Sequence, residues 1–233
     1  MSPELGSVAA QVGALGDDLR NAMYQFIRRA GRPVSREDAA AEVGISRKLA
    51  AWHLDKLVEK GLLRAHYARL PGRSGPGAGR SSKLYEPSEV EIEISIPPRR
   101  YDLVGRILVD AMEDARPGES PREAARRVAT SFGLRLGAEF RRETGLRPPG
   151  PERTLTVAEQ ILAGYGYEPH RNAAGEVGLR NCPFHHLARQ APDLVCGLNQ
   201  AFIDGVLRGL GNNSVDAALE PKPGQCCVNL RAG

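Results

Sequence analysis

All four cysteines of this 233-residue chain fall in its last quarter, as Cys182, Cys196, Cys226 and Cys227. Cys182 stands before Pro183 at an expected helix start, where the positive helix end lowers a thiol pKa. His185 and His186 follow three and four residues on, the spacing that puts side chains on one helical face. Cys196 falls in the first turn of the next expected helix, after Pro192, and Cys226-Cys227 follow Pro223-Gly224 on an expected last strand. Side chains alternate along a strand, so Cys226 should share the inward face of Val228 and Leu230, and Cys227 the face of Asn229 and Arg231. This favours Cys226 over Cys227 as a ligand, although a twist after Gly224 would reverse the choice. Thiolate with imidazole suits Zn2+, and three or four thiolates also suit an iron–sulfur cluster. There is no C-x-x-C pair, so the spacing is not that of a zinc finger.

A second constellation lies near the front. Ser46 is placed to cap a helix running to about Lys60, closed by Gly61. Ile45, Ala50, Leu54, Leu57 and Val58 form its apolar stripe, while Arg47, Lys48, Ala51 and Trp52 fall toward the other side. Before it, Ser35 and Asp38 open a shorter helix that stops at Gly44, and a first helix spans Asp17 to Arg29. Helix, glycine turn and longer helix is the order that lays a recognition helix in the major groove of DNA. Two strands are expected at 62–70 and 83–86, joined by a Gly/Pro/Ser-rich loop. With Arg73, Arg80 and Lys83, that loop can act as a basic wing along the phosphate backbone. Ser46, Arg47, Lys48, Trp52 and His53 complete the candidate DNA-binding set, with a buried, hydrogen-bonded His53 as the competing reading.

Charge agrees with this division. Residues 14–85 hold 14 Lys/Arg against 7 Asp/Glu, whereas residues 101–233 hold 16 of each. A basic first domain and a neutral second place any polyanion contact at the front. Residues 1–14 are expected to be a flexible tail, residues 15–97 a winged helix-turn-helix domain, and residues 98–233 an α+β effector and dimerisation domain. In the latter, helices are expected over 101–115, 120–144, 156–164, 183–190 and 193–210, and strands over 165–170, 176–180, 215–219 and 225–231. The first of these helices, with Leu103, Val104, Ile107, Leu108, Ala111 and Met112, is the candidate homodimer interface.

The run from Gly44-Ile45-Ser46-Arg47-Lys48 through Trp52-His53 to Gly61-Leu62-Leu63 resembles the recognition-helix signature of ArsR-type bacterial winged-helix repressors, over roughly residues 15–90. Asn181-Cys182-Pro183-Phe184-His185-His186, with Leu194-Val195-Cys196, is similar to the ligand region of iron–sulfur-sensing repressors of cluster-assembly operons. The resemblance implies ligand roles for Cys182, Cys196 and one of Cys226 or Cys227. Those repressors carry a further cysteine between the second and the last; here the stretch around Gly209-Leu210-Gly211-Asn212 has none. Zinc held by Cys, His185 and Cys therefore stays open beside the cluster.

The expected function is a homodimeric regulator of transcription that binds double-stranded DNA and senses a metal or redox signal. A regulator responding to an organic effector, with Tyr165, Tyr167, Phe184 and Phe202 lining a pocket, is the alternative. An enzyme is not expected: no phosphate-cradling loop, nucleophile elbow or paired-carboxylate motif occurs, and the glycines at 72–79 lack the P-loop lysine. Adjacent Cys226-Cys227 would form only a strained disulfide ring, which argues against a thiol oxidoreductase. No apolar run of about 18 residues is present and Met1-Ser2-Pro3-Glu4 opens no signal peptide, so a cytoplasmic protein without a membrane contact is expected.

Overall fold

The computed structural model describes residues 5–68, 81–145, 150–211, 214–221 and 224–232. The chain divides into two compact units between Ile94 and Ser95, just ahead of the boundary expected at Pro97-Pro98. No helix among the described residues is long and apolar enough to cross a membrane.

The first unit holds helices α1 (Leu5–Leu15), α2 (Asp18–Ala30), α3 (Arg36–Val43) and α4 (Arg47–Glu59), with strands β1 (Val34–Ser35), β2 (Leu63–Ala68) and β3 (Ser82–Pro87). Local chemistry accounts for the boundaries. Asp17 accepts from Arg20 N to start α2, and Ser35 and Asp38 close a reciprocal capping box on α3. Gly31 and Gly44 end these helices in the left-handed region, which a side chain would disfavour. The strands pair antiparallel in the order β1-β3-β2, with Val34 opposite Tyr85 and Arg64 opposite Glu86. Met23 and Ile27 of α2, Ala39 and Ala40 of α3, and Ala50, Leu54 and Leu57 of α4 meet Leu63 and Tyr85 in one core.

Helix α1 corrects the expectation of a flexible tail. Its pattern is weak, but it is docked: Gln11 donates to Lys60 O (3.0 Å), Arg20 Nε donates to Ala14 O (2.7 Å), and Ala14 is buried. Tertiary contacts, more than intrinsic propensity, hold such a short helix.

The second unit contains α5 (Tyr101–Glu113), α6 (Pro121–Thr144), α7 (Pro151–Gly164), β4 (Pro169–Arg171), β5 (Val177–Leu179), α8 (His185–Gln190), α9 (Pro192–Gly209), β6 (Val215–Leu219) and β7 (Val228–Ala232). Its sheet runs β4-β5-β7-β6, antiparallel throughout, with Val177 opposite Leu230 and Ala217 opposite Leu230 on the other side. Helices together with antiparallel sheets make an α+β chain, as the sequence suggests.

Helices α6 and α9 make this unit's closest helix pair. Gly133 and Gly137 on α6 face Gly205 and Gly209 on α9, and each lets the opposite backbone approach to where a Cβ would stand. A Cβ at Gly133 would collide with Phe202 O, and one at Gly205 with Thr130 O. This contact fixes α9, which carries Cys196. Leu103, Val104, Ile107 and Ala111 of α5 are buried in the same unit's core, leaving Val109 and Met112 as its large exposed apolar residues. Most of the face expected to be a dimer interface is therefore intrachain core.

Candidate thiol centre and nucleic-acid face

Three stretches of chain deliver the thiols. Cys182 lies in the turn after β5, Cys196 in the second turn of α9, and Cys226 and Cys227 in the irregular stretch leading into β7. Because β7 begins at Val228, strand alternation does not separate the pair, and both Cys226 and Cys227 are buried. The four side chains form a string of contacts: Cys182 with Cys226, Cys226 with Cys227, and Cys227 with Cys196. None of the four is in a disulfide.

The surroundings favour the protonated form of Cys182, Cys226 and Cys196. The hydrogen bond to Cys226 and then burial hold the Cys182 thiol far above its ordinary range. This reverses the expected lowering by a helix end: α8 begins at His185, so Cys182 is outside it, although Phe184 N–H does reach the sulfur. For Cys226 the bond from Cys182 pulls down, but Cys227 and burial outweigh it and the thiol is pushed up to about 12. Burial likewise raises Cys196.

Sequence reasoning missed the polar shell around the string. Tyr167 OH donates to Asn199 Oδ1 (2.5 Å), and Asn199 Nδ2 donates to Cys226 Sγ (3.1 Å). Burial holds the Tyr167 phenol well above its usual range, so it stays a donor. Asn199, buried among Leu198, Phe202 and Val206 on α9, is the legible signal, since a polar residue on an apolar face needs partners. Cys226 N–H also donates to Leu179 O (2.8 Å). On the other side, Arg99 donates to Asn181 Oδ1 (2.5 Å) and Cys182 O (3.1 Å), while Asn181 Nδ2 donates to Pro98 O (3.1 Å) and Gly166 O (2.5 Å). The segment by which the chain enters this unit is thus fastened to the thiol loop.

His185 is exposed at the start of α8, with its ring 5.5 Å from that of His186, and is not brought into the string. Helical spacing from Cys182 fails there because the helix has not yet begun. Among the described residues, no three His, Cys, Asp or Glu side chains are already disposed to hold a metal ion. The donor set nevertheless suits a thiophilic metal: four thiols in a string of mutual contacts, three of them buried, with no competing carboxylate within the string.

No protein-family model and no curated protein matches this sequence.

In the first unit, Ser46 Oγ accepts from Leu49 N (3.2 Å) and caps α4. Ser46→Ala is expected to cost about 1 kcal/mol, read as an earlier midpoint in urea denaturation followed by Trp52 emission. Arg47 and Lys48 are exposed and form no salt bridge among the described residues, and Trp52 is 52% exposed on the same helix. Two other candidate DNA-binding residues are less free than Arg47 and Lys48. His53 is 4% exposed and stands in the core, three residues from Ala50, edge-on to Trp52, with Nδ1 3.8 Å from Asp17 Oδ1. Lys83 donates to Asp55 Oδ1 (2.6 Å) and lies over the Tyr85 ring, so its charge is paired. Arg73 and Arg80 lie outside the described residues.

Proposed function

We propose that this chain is a DNA-binding regulator of transcription that lays α4 against double-stranded DNA, and whose thiol centre takes a metal as its signal. The observation that carries the DNA half is the outward face of α4, where Arg47, Lys48 and Trp52 stand beside a capped helix start while Ala50, Leu54 and Leu57 hold the opposite face in the core. The order α2-α3-α4 followed by the antiparallel pair β2-β3 supports the winged helix-turn-helix reading, with the strand pair as wing. Arginine and lysine at a helix start suit phosphate oxygens and guanine edges, and the helix N-terminus adds its own attraction for phosphate. Two copies reading two half-sites would supply the contacts one such unit lacks, so a homodimer is part of the proposal.

The signal half rests on the string of contacts that links all four cysteines. Cys182, Cys196, Cys226 and Cys227 would hold zinc or an iron–sulfur cluster, which supplies a positive centre that takes thiolates in place of thiols. To bind it, the thiols must give up their mutual hydrogen bonds and turn toward a common point. Asn199 steadies Cys226 during that change, and Tyr167 fixes the orientation of the Asn199 amide. Arg99, bonded to Cys182 O, ties any shift of the Cys182 turn to the start of this unit. Control of DNA affinity requires the metal to favour one arrangement of the protein over another.

Protein purified without oxygen and assayed for visible absorption, iron, sulfide and zinc tests this half. Iron with sulfide supports a cluster, stoichiometric zinc supports a zinc centre, and absence of both refutes the metal-sensing reading. Cys182→Ser and Cys226→Ser are each expected to lower metal content severalfold, and His185→Ala to leave it unchanged.

The raised thiol pKa values give this reading a pH dependence. At neutral pH the Cys182 and Cys226 thiols keep their protons, so each thiolate taken by a metal releases one. Affinity for cobalt or zinc should then rise with pH, by up to about tenfold per unit for each proton released. Cobalt titrations followed by thiolate charge-transfer absorption check this, and a flat profile across neutrality would contradict it.

A further inference from the structure

We propose that the second unit carries a separate binding site for a small aryl carboxylate, in a cavity of about 360 Å³ between α5, α6 and α9. Its volume lies in the range of about 300–1,000 Å³ usual for small-molecule sites. The apolar part is aromatic: Phe132, Tyr165 and Phe202 line it, with the Tyr165 and Phe202 rings 5.7 Å apart and tilted. Phe202 is almost fully buried and gives the site a rigid floor.

Three arginines, Arg100, Arg106 and Arg135, also line the cavity. Arg135 is stacked 4.5 Å above the Phe132 ring and Arg100 lies 5.1 Å above Tyr165, so two are held in place before any ligand arrives. Arg100 is engaged by Asp102 through two hydrogen bonds, 3.1 and 3.0 Å. Arg106 and Arg135 have no salt bridge or hydrogen-bond partner among the described residues.

Arg100 is paired with Asp102, and Glu139 lies 3.5 Å from Arg142, which is outside the lining, so Arg106 and Arg135 supply the positive charge left to meet an anion. A guanidinium binds a carboxylate through two parallel N–H···O bonds, and an aryl group can then lie on the ring floor. The wall of this cavity adjoins the thiol loop, since Arg100 N donates to Pro183 O (3.1 Å), but the site requires no metal.

Isothermal titration of the full-length protein with 2-naphthoate, and with uncharged 2-naphthamide as control, tests the proposal. Naphthoate is expected to bind and naphthamide to bind at least about tenfold more weakly. Arg106→Gln and Arg135→Gln change exposed side chains and should leave the fold intact, yet each should weaken naphthoate by about tenfold. No naphthoate binding at about millimolar concentration would overturn the proposal. Equal binding of the amide, or unchanged affinity in the two arginine variants, would overturn it as well. None of these outcomes depends on metal content or DNA binding, so the site can fail without the regulator reading failing, and the reverse.

Discussion

Gly137→Ala or Gly205→Ala should destabilise the second unit by about 3 kcal/mol or more, although alanine is the better helix former. Two effects of opposite sign compete. Removing glycine from a helix interior gains about 0.5–1 kcal/mol through backbone entropy and propensity. Against this, the new methyl group at Gly137 would overlap Val206 O, and at Gly205 it would overlap Thr130 O. Both obstacles are backbone, which can yield only by separating α6 from α9. Overpacking of this kind usually costs about 1–3 kcal/mol, and more where no side chain can swing aside, so the clash wins. Gly105 on α5 has open space where its Cβ would go, and Gly105→Ala should instead stabilise by about 0.5–1 kcal/mol. Thermal and urea denaturation of the three variants reads both signs. Because α9 carries Cys196 and Asn199, the two destabilised variants should also disturb the alignment of the thiol string, seen as lower metal content at equal protein concentration.

The largest effect on binding is expected at α4. Arg47→Ala with Lys48→Ala should weaken double-stranded DNA binding by about a hundredfold or more, since a base or phosphate contact from such a side chain is worth about 1–3 kcal/mol. It should also lower the dependence of affinity on salt, because each phosphate that is no longer neutralised takes about one unit from the slope. Lys83→Ala is the informative contrast. Its ammonium group is already bonded to Asp55, so its removal should cost far less. Trp52 is the chain's single tryptophan and is half exposed, so its emission can follow docking directly. Unchanged affinity and salt slope in the double variant would show that α4 does not face the DNA.

Much of the fold was legible because caps and turns are local. Ser35 with Asp38, Ser46, and the glycines at 31 and 44 mark helix ends by chemistry that acts within one turn. The apolar stripe of α4 followed from its period in the same way, and that period also puts His53 with Ala50 and Leu57 in the core. Where the reading failed, the deciding contact was remote or the element boundary was displaced. Helix α1 depends on Gln11 reaching Lys60, which no local pattern announces. Strand β7 starts one residue after Cys227, and α8 starts three after Cys182, so neither the strand nor the helix period governs those cysteines. The glycine contact between α6 and α9 joins two helices far apart in sequence, and its i, i+4 spacing on each carries no sign of its partner. The sequence settings suggest that the cysteines meet at one point, whereas among the described residues they touch only pairwise, as a string. The Tyr167–Asn199–Cys226 link was not foreseeable, because it joins three separate stretches of chain.

In the proposed mechanism, DNA affinity is governed by the thiol centre. The most direct test is an anaerobic anisotropy titration of a pool of labelled duplex fragments with the metal-loaded full-length protein, with the chelated protein, and with a Cys182→Ser/Cys226→Ser variant. The predicted result is salt-sensitive binding that changes by about tenfold or more between loaded and chelated protein, a difference of about 1.4 kcal/mol or more, and a variant indifferent to metal. One isotherm shared by all three proteins, or no binding to duplex DNA at low salt, would contradict it.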